Sequence, residues 1–149
     1  MKSLLIALSL LELVCGCVEK RTKEHALRFM RASLIEYQGE DKSLADTLFH
    51  QSIPFISNNN EQYVYVANSE CSFCIATAIS CCNAWAQTSS ESSFYFLTKS
   101  DYTELLEFYM DRDCDKKVPV FSSEECSILE DGLYTIRDGH VFSYSSWTP

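Results

Sequence analysis

The chain has 149 residues, of which 46% are hydrophobic and 13% are aromatic, and its formal net charge at pH 7 is −9. This length and composition suffice for one domain with one hydrophobic core. The excess of acidic residues argues against a basic surface that follows the phosphates of a nucleic acid, and it opposes docking of the folded body on an anionic membrane. We therefore expect neutral or basic macromolecular partners and no nucleic acid.

The N-terminus begins with the basic residue Lys2 and continues into a short apolar run from Leu4 to Leu11. This combination is typical of a signal peptide and is too short for a membrane span. The run ends in Val14-Cys15-Gly16-Cys17, which resembles the bacterial lipobox, where the last cysteine is lipidated and becomes the first residue. The sequence thus predicts a lipoprotein signal peptide over residues 1–16 and a lipid anchor on Cys17. The alternatives are an ordinary secretory signal cleaved nearby and a short buried helix.

Two helices are predicted before the first clear strand. Hydrophobic residues recur at helical spacing from about Glu19 to Tyr37, and a second, short helix is predicted from Lys42 to His50. Ile53 to Ile56 is predicted to be extended, with Pro54 indicating a sheet edge. Residues 17–61 are therefore predicted to form a helical N-terminal extension.

Strands and helices alternate in the rest of the chain. The predicted elements are a strand over about Gln62–Asn68, a cysteine-bearing helix to about Gln87, a strand at Phe94–Leu97, a helix over about Asp101–Asp111 with Ser100 as its N-cap, an extended segment at Val118–Phe121, and strands at Leu133–Arg137 and His140–Tyr144. Asp138-Gly139 separates the last two strands, and such a pair is a strong hairpin signal because both turn positions favour positive φ.

The motif Cys71-Ser72-Phe73-Cys74 stands at the junction between the first strand and the helix that follows it. A cysteine in the first turn of a helix lies beside unpaired backbone N–H groups and the positive end of the helix dipole, which favour the thiolate. The second cysteine, one turn deeper, is close enough to displace a mixed disulfide formed by the first. The spacing predicts a dithiol that cycles, with Cys71 as the attacking thiol and Cys74 as the resolving thiol.

A zinc site is the main alternative for this motif, since C-x-x-C is also half of many zinc sites. Zinc requires two further ligands at workable spacing. The adjacent pair Cys81-Cys82 does not repeat the motif, and His50 and His140 are isolated. We therefore predict no metal and no cofactor. The histidines also lack a serine and acid companion in a recognisable nucleophile setting, so they are interpreted as ordinary surface histidines or as histidines with satisfied hydrogen bonds.

Disulfides are plausible among the other cysteines because an exported protein enters an oxidising compartment. Cys114 and Cys126 both lie in loop-like surroundings, which favours a structural bridge between them. Cys81 and Cys82 lie on an apolar predicted helix. At least one of these two is expected to be buried as a small hydrophobic residue.

The order strand, C-x-x-C helix, strand, helix, extended segment and terminal hairpin resembles the thioredoxin-like superfamily. The residues that carry the resemblance are Val64–Val66, Cys71, Cys74 and Thr135–Val141, and it extends from about Gln62 to Trp147. The chain is most similar to the membrane-anchored thiol-disulfide interchange branch. The resemblance implies an α/β fold, with a thioredoxin-like central sheet, flanking helices and a terminal β-hairpin, over residues 62–149.

Three features differ from that family's pattern. The aromatic residue usual before the first cysteine is here Glu70, whose carboxylate opposes thiolate formation. The cis-proline usual beside the dithiol is absent from Glu130–Leu133, and the covering helix usual after the hairpin is missing before Pro149. The helix predicted from Glu19 to Tyr37 is expected to cover that face instead.

The function that the resemblance implies is thiol–disulfide exchange with thiols or disulfides of other cell-envelope proteins. The domain would be lipid-anchored to a bacterial membrane and would face the periplasm or the exterior. The alternative is a non-enzymatic adaptor lipoprotein of the same fold, in which Cys71 and Cys74 form a structural disulfide or idle thiols. Neither the redox direction nor the oligomeric state follows from the sequence.

Overall fold

The computed structural model describes residues 42–88 and 91–146, together with Glu24, residues 26–28, Arg31 and Tyr37. The predicted signal peptide and Cys17 lie outside the described residues, as does most of the helix predicted between Glu19 and Tyr37. Among the residues that are described, no helix is both long enough and apolar enough to span a membrane.

The helices and strands alternate as the sequence predicts. In chain order they are α1 (Lys42–Ser52), β1 (Gln62–Ala67), α2 (Ser72–Ala86), β2 (Ser93–Thr98), α3 (Ser100–Asp113), β3 (Val120–Ser122), a 3-10 helix (Glu124–Ile128), β4 (Gly132–Arg137) and β5 (His140–Ser145). The prediction that Ile53–Ile56 is extended is wrong. Ile56 N–H donates to Ile53 C=O at 3.3 Å, so these residues form a turn after α1, with Pro54 at a position that suits its fixed φ.

The five strands form one mixed sheet in the order β3-β2-β1-β4-β5. β1 pairs in parallel with β2, and β2 in parallel with β3, whereas β4 is antiparallel to both β1 and β5. All six residues of the central strand β1 are buried, as expected for a strand covered on both faces. The fold is therefore mixed α/β, with a five-stranded central sheet and flanking helices, and it is compatible with a thioredoxin-like fold.

Alternate residues of β1 contribute to two separate cores. Tyr63 and Tyr65 lie on the face covered by α2 and α3, which we call the α2/α3 face. Val64 and Val66 lie on the opposite face, which we call the α1 face because residues of α1 pack there. The alternation follows from the two-residue period of a strand.

The α1 face is covered by Lys42–Ser52, a helix that the sequence predicted but did not assign to this role. Its buried residues Ala45, Leu48 and Phe49 belong to the core on that face. Asp46 carboxylate also accepts a hydrogen bond of 2.5 Å from the backbone N–H of Val141 in β5. At the end of the stretch predicted as a helix from Glu19 to Tyr37, the side chain of Tyr37 is partly buried and packs against this core.

The terminal hairpin is confirmed. Arg137 pairs with His140, and the two turn residues between them have positive φ, 52° at Asp138 and 77° at Gly139. Glycine adopts such angles without strain, and aspartate tolerates them better than most other residues.

We predict that Gly139→Val destabilises the protein by about 1–3 kcal/mol, because a β-branched residue is strained at positive φ. The added Cβ would also collide with the side chain of Asn58. Urea unfolding of the two proteins measures the change. The matched control is Asp138→Asn, for which we expect an unchanged midpoint because asparagine accepts positive φ. Equal midpoints for Gly139→Val and the wild type would show that the turn does not constrain this position.

Candidate functional site

Cys71 and Cys74 form a disulfide at the first turn of α2, with their Cα atoms 5.3 Å apart. Cys71 is the N-cap of the helix, and the backbone N–H of Cys74 donates to Cys71 Sγ at 3.1 Å. The backbone N–H of Ile75 donates to the carbonyl of Cys71 at 3.1 Å and closes the first helical turn. The expectation that the motif brings the two sulfurs together where β1 leads into α2 is thus confirmed.

The two cysteines differ in exposure. Cys71 is exposed, whereas Cys74 is partly buried, one turn deeper in the helix. Between them, the ring of Phe73 is 70% exposed, although it is a large apolar side chain. An attacking molecule therefore meets Cys71 first, with an apolar ring directly beside it.

Glu70, immediately before the disulfide, lies near the start of α3. Its carboxylate raises the pKa of the Tyr102 hydroxyl. Lys99 Nζ lies 5.7 Å from the centroid of the same Tyr102 ring. The loop before Cys71 thus brings an acidic side chain close to the start of α3.

Asn68, the first residue after β1, organises the backbone beneath the disulfide loop. Its backbone N–H donates to Asp131 Oδ1 at 3.0 Å, and its side-chain Nδ2 donates to the carbonyls of Cys126 at 2.8 Å and Leu129 at 3.3 Å. Its side-chain Oδ1 accepts from Cys126 Sγ at 2.8 Å. Both ends of the amide are therefore satisfied, and the segment from Cys126 to Asp131 is held against the end of β1.

Two titratable groups of this network have shifted pKa values because they are partly removed from water. Burial raises the pKa of the Cys126 thiol to about 11, which keeps it neutral and able to donate to Asn68. Burial also raises the pKa of Asp131, against the opposing effect of its hydrogen bonds from Asn68. The charged form of Asp131 is therefore less favourable in the folded protein than in water.

The start of α3 is capped differently from the prediction. Ser100 is the first residue of the helix and Lys99 is its N-cap. The Lys99 side chain makes no capping hydrogen bond. Instead, Glu124 from the 3-10 helix accepts hydrogen bonds from the backbone N–H and the hydroxyl of Ser100, and these bonds lower the pKa of Glu124. A carboxylate suits this place because it neutralises free N–H groups and the positive end of the helix dipole.

The bridge predicted between Cys114 and Cys126 is wrong, since both are free thiols in the structure. Cys114 packs against the core on the α2/α3 face, whereas Cys126 is buried in the core on the α1 face. The sheet therefore separates them. The expectation that Cys81 or Cys82 is buried is confirmed, because both are 0% exposed.

The histidines of the described part of the chain lie near the hairpin turn. His50 Nε2 is 2.7 Å from the carbonyl of Gly139, and His140 Nδ1 is 3.3 Å from Asp46 Oδ2. No three His, Cys, Asp or Glu side chains in residues 42–88 and 91–146 converge as a possible metal site. The zinc interpretation of Cys71 and Cys74 thus gains no further ligands there.

The sequence-based reasoning did not identify Asn68, Asp131 or Glu124 as parts of the site. None of them belongs to a motif, and their partners lie on distant parts of the chain. Asn68 had one usable signal, which is its place directly after a buried strand. Polar residues at such positions often serve the edge where α/β folds place their sites.

No protein-family model matches the chain, and no curated protein is significantly similar to it. Among solved structures, the chain is similar to the C-terminal domain of an uncharacterized protein from Bacteroides fragilis NCTC 9343. The TM-score is 0.40 at 9% identity, and the match covers 60% of this chain and 71% of that chain. What can be said of function therefore depends on the residues of this chain.

We predict that Asp131→Asn becomes more stable relative to the wild type as the pH rises from 3 to 7. A raised pKa in the folded state means that ionised Asp131 weakens folding above that pKa, and that this effect vanishes below the unfolded-state pKa of about 3.9. Asparagine keeps an oxygen for the N–H of Asn68 and never ionises. Urea unfolding at several pH values measures the difference, with the exposed Asp115→Asn as control. A difference that is constant or falls with pH would contradict the burial of this carboxylate.

Proposed function

We propose that the protein carries out thiol–disulfide exchange with other proteins through Cys71 and Cys74. The observation that carries this proposal is the exposed disulfide at the N-terminus of α2, where a backbone N–H points at Cys71 Sγ. After reduction, the same N–H and the helix dipole stabilise a thiolate at Cys71. A stabilised, exposed thiolate is both a nucleophile and a good leaving group.

The exchange passes through a mixed disulfide. The Cys71 thiolate attacks one sulfur of a partner disulfide, a new S–S bond forms, and the other partner sulfur leaves as a thiolate that takes up a proton. The thiol of Cys74 then loses its proton and attacks Cys71 Sγ, which restores the Cys71–Cys74 disulfide and releases the second partner thiolate. Two electrons pass from the pair to the partner, and the reverse sequence oxidises a partner dithiol.

A protein substrate is favoured by the surface next to the disulfide. The exposed ring of Phe73 offers apolar contact area to a peptide chain that reaches Cys71. The chain's net charge of −9 favours neutral or basic partner surfaces. These two features support partner proteins with accessible cysteines and neutral or basic surfaces.

The cell-envelope location is part of the proposal. It is supported by the apolar run from Leu4 to Leu11 and by Val14-Cys15-Gly16-Cys17, which resembles a lipobox. Acyl chains on Cys17 would tether the domain to a bacterial membrane, with the body of the protein in the aqueous phase. Disulfides also form and persist in the oxidising compartments that exported proteins enter.

We predict that Cys74→Ser accumulates mixed disulfides with other proteins, whereas Cys71→Ser accumulates none. Cys71 is the exposed sulfur, and without Cys74 nothing within the motif releases its partner. Non-reducing electrophoresis of full-length protein from its native host, followed by reduction in a second dimension, measures the trapped species. Equal amounts from the two variants, or none from either, would contradict exchange and leave an adaptor with a structural disulfide.

We also predict that Cys17 is acylated. Metabolic labelling with a fatty-acid analogue is expected to mark the wild type and Cys15→Ser but not Cys17→Ser, because the mature lipoprotein begins at the lipidated cysteine. Cys15→Ser is the matched control, since it removes the neighbouring thiol and leaves the anchor. Label that persists in Cys17→Ser would contradict the lipid anchor while leaving the exchange proposal intact.

A further inference from the structure

A second pair of cysteines lies together on the α2/α3 face, away from the proposed exchange site. Cys82 belongs to α2 and is 0% exposed, whereas Cys114 follows the last residue of α3 and is partly buried. The two thiols influence each other's protonation, because Cys114 raises the pKa of Cys82 and Cys82 lowers the pKa of Cys114. Cys82 Sγ also lies 3.9 Å from the carbonyl of Lys116, so the turn after α3 wraps around this sulfur.

Asn83 holds Cys114 in this position from both sides. Its side-chain Nδ2 donates to the carbonyl of Asp113 at 2.9 Å, and its Oδ1 accepts from the backbone N–H of Asp115 at 2.9 Å. The backbone N–H of Cys114 itself donates to the carbonyl of Met110 at 3.0 Å. Three hydrogen bonds thus fix the backbone around Cys114, and two of them come from the residue next to Cys82.

We propose that Cys82 and Cys114 form a second disulfide in the mature protein, which staples the C-terminal half of α2 to the end of α3. Asn83, next to Cys82, hydrogen-bonds both residues that flank Cys114, and Cys82 Sγ lies 3.9 Å from the carbonyl of Lys116, two residues beyond Cys114. The fold therefore holds the backbone segments that carry the two cysteines next to each other before any bond forms. This pairing takes the place of the bridge that the sequence favoured between Cys114 and Cys126.

The second pair is independent of the first. Cys82 lies eight residues beyond Cys74 along α2, which corresponds to about 12 Å along the helix axis. Sulfur atoms must come into contact to exchange, so Cys71 and Cys74 cannot pass their disulfide directly to Cys82 within the folded domain. The oxidant is therefore an external disulfide, such as oxidised glutathione or an oxidised protein dithiol of the same compartment.

Cys114 is the thiol that reacts first. It is the more accessible of the two, and the neighbouring Cys82 thiol lowers the pKa of Cys114. The Cys114 thiolate attacks the external disulfide and expels one thiolate. Cys82 then gives up its proton and attacks Cys114 Sγ, which forms the Cys82–Cys114 bond and expels the second thiolate. The two cysteines are oxidised by two electrons, and one external disulfide becomes two thiols.

The staple would stabilise the domain behind the exchange site. It closes a chain segment that includes β2 and α3, and such closure restricts the unfolded state. The reactive first turn of α2 is left free, because the new bond lies toward the opposite end of the helix. Stability and exchange thus depend on different cysteines.

Peptide mapping tests the proposal on the full chain with Cys71 and Cys74 both replaced by serine, so that the first pair does not react with the oxidant. The folded protein is treated with oxidised glutathione, denatured in an alkylating reagent, digested and examined by mass spectrometry. We expect a linked peptide pair joining Cys82 to Cys114, with Cys81 and Cys126 alkylated. We also expect a rise in Tm of about 10 °C relative to the reduced sample.

Two further variants serve as controls. Cys126→Ser is expected to retain the link, whereas Cys114→Ser is expected to lose it and to leave Cys82 alkylated. Cys114 is the residue of choice because it is only partly buried, so its replacement spares the core. Alkylation of both Cys82 and Cys114 in the oxidised folded protein, or a link from Cys114 to Cys81 or Cys126, would overturn the proposal. Either result would leave the trapping behaviour of Cys71 and Cys74 unaffected.

Discussion

The burial of β1 on both of its faces is the constraint on which the rest of the structure depends. Because β1 is the middle strand, its alternating side chains define the two cores and therefore where α1, α2 and α3 can pack. The strand also ends beside the site. Its last residue, Ala67, precedes Asn68, and the chain then turns into α2 through the disulfide. The position of Cys71 is thus set by a short loop whose first residue, Asn68, is held by hydrogen bonds at the end of a buried strand.

Polar contacts convert this scaffold into a defined site. Asn68 holds the segment before β4 against the end of β1, and Glu124 satisfies the start of α3. Glu70, in the loop before the disulfide, lies close enough to Tyr102 of α3 to raise its pKa. The parallel pairing of β1 and β2 brings the N-termini of α2 and α3 to the same end of the sheet, and of these two helices only α2 has a cysteine at its start. The local field at Cys71 is then a balance between the dipole of α2 and the carboxylate of Glu70.

Much of the fold could be predicted because its signals are local. Periodicity identified the strands and helices, and the C-x-x-C motif identified a pair that the helix geometry brings together. The cysteine that lies beside Cys114 could not be found this way, because its identity depends on which face of the sheet each segment reaches. Loop-like surroundings suggested Cys126, but the sheet lies between them, and Cys82 is the actual neighbour. The predicted cap of α3 was wrong for the same reason, because Glu124, which accepts the hydrogen bond at the start of α3, belongs to a later segment of the chain.

The reduction potential of the Cys71–Cys74 pair distinguishes a cycling dithiol from a structural bridge most directly. The full-length protein is equilibrated with glutathione buffers and, at the reducing end, with dithiothreitol. Alkylation and peptide mapping then quantify this pair separately from the other cysteines. An exposed disulfide on a helix N-terminus is expected to have a potential between about −270 and −120 mV, the range of exchange proteins. A potential below about −300 mV would contradict exchange, because such a disulfide resists reduction by the thiol pools with which it would have to react.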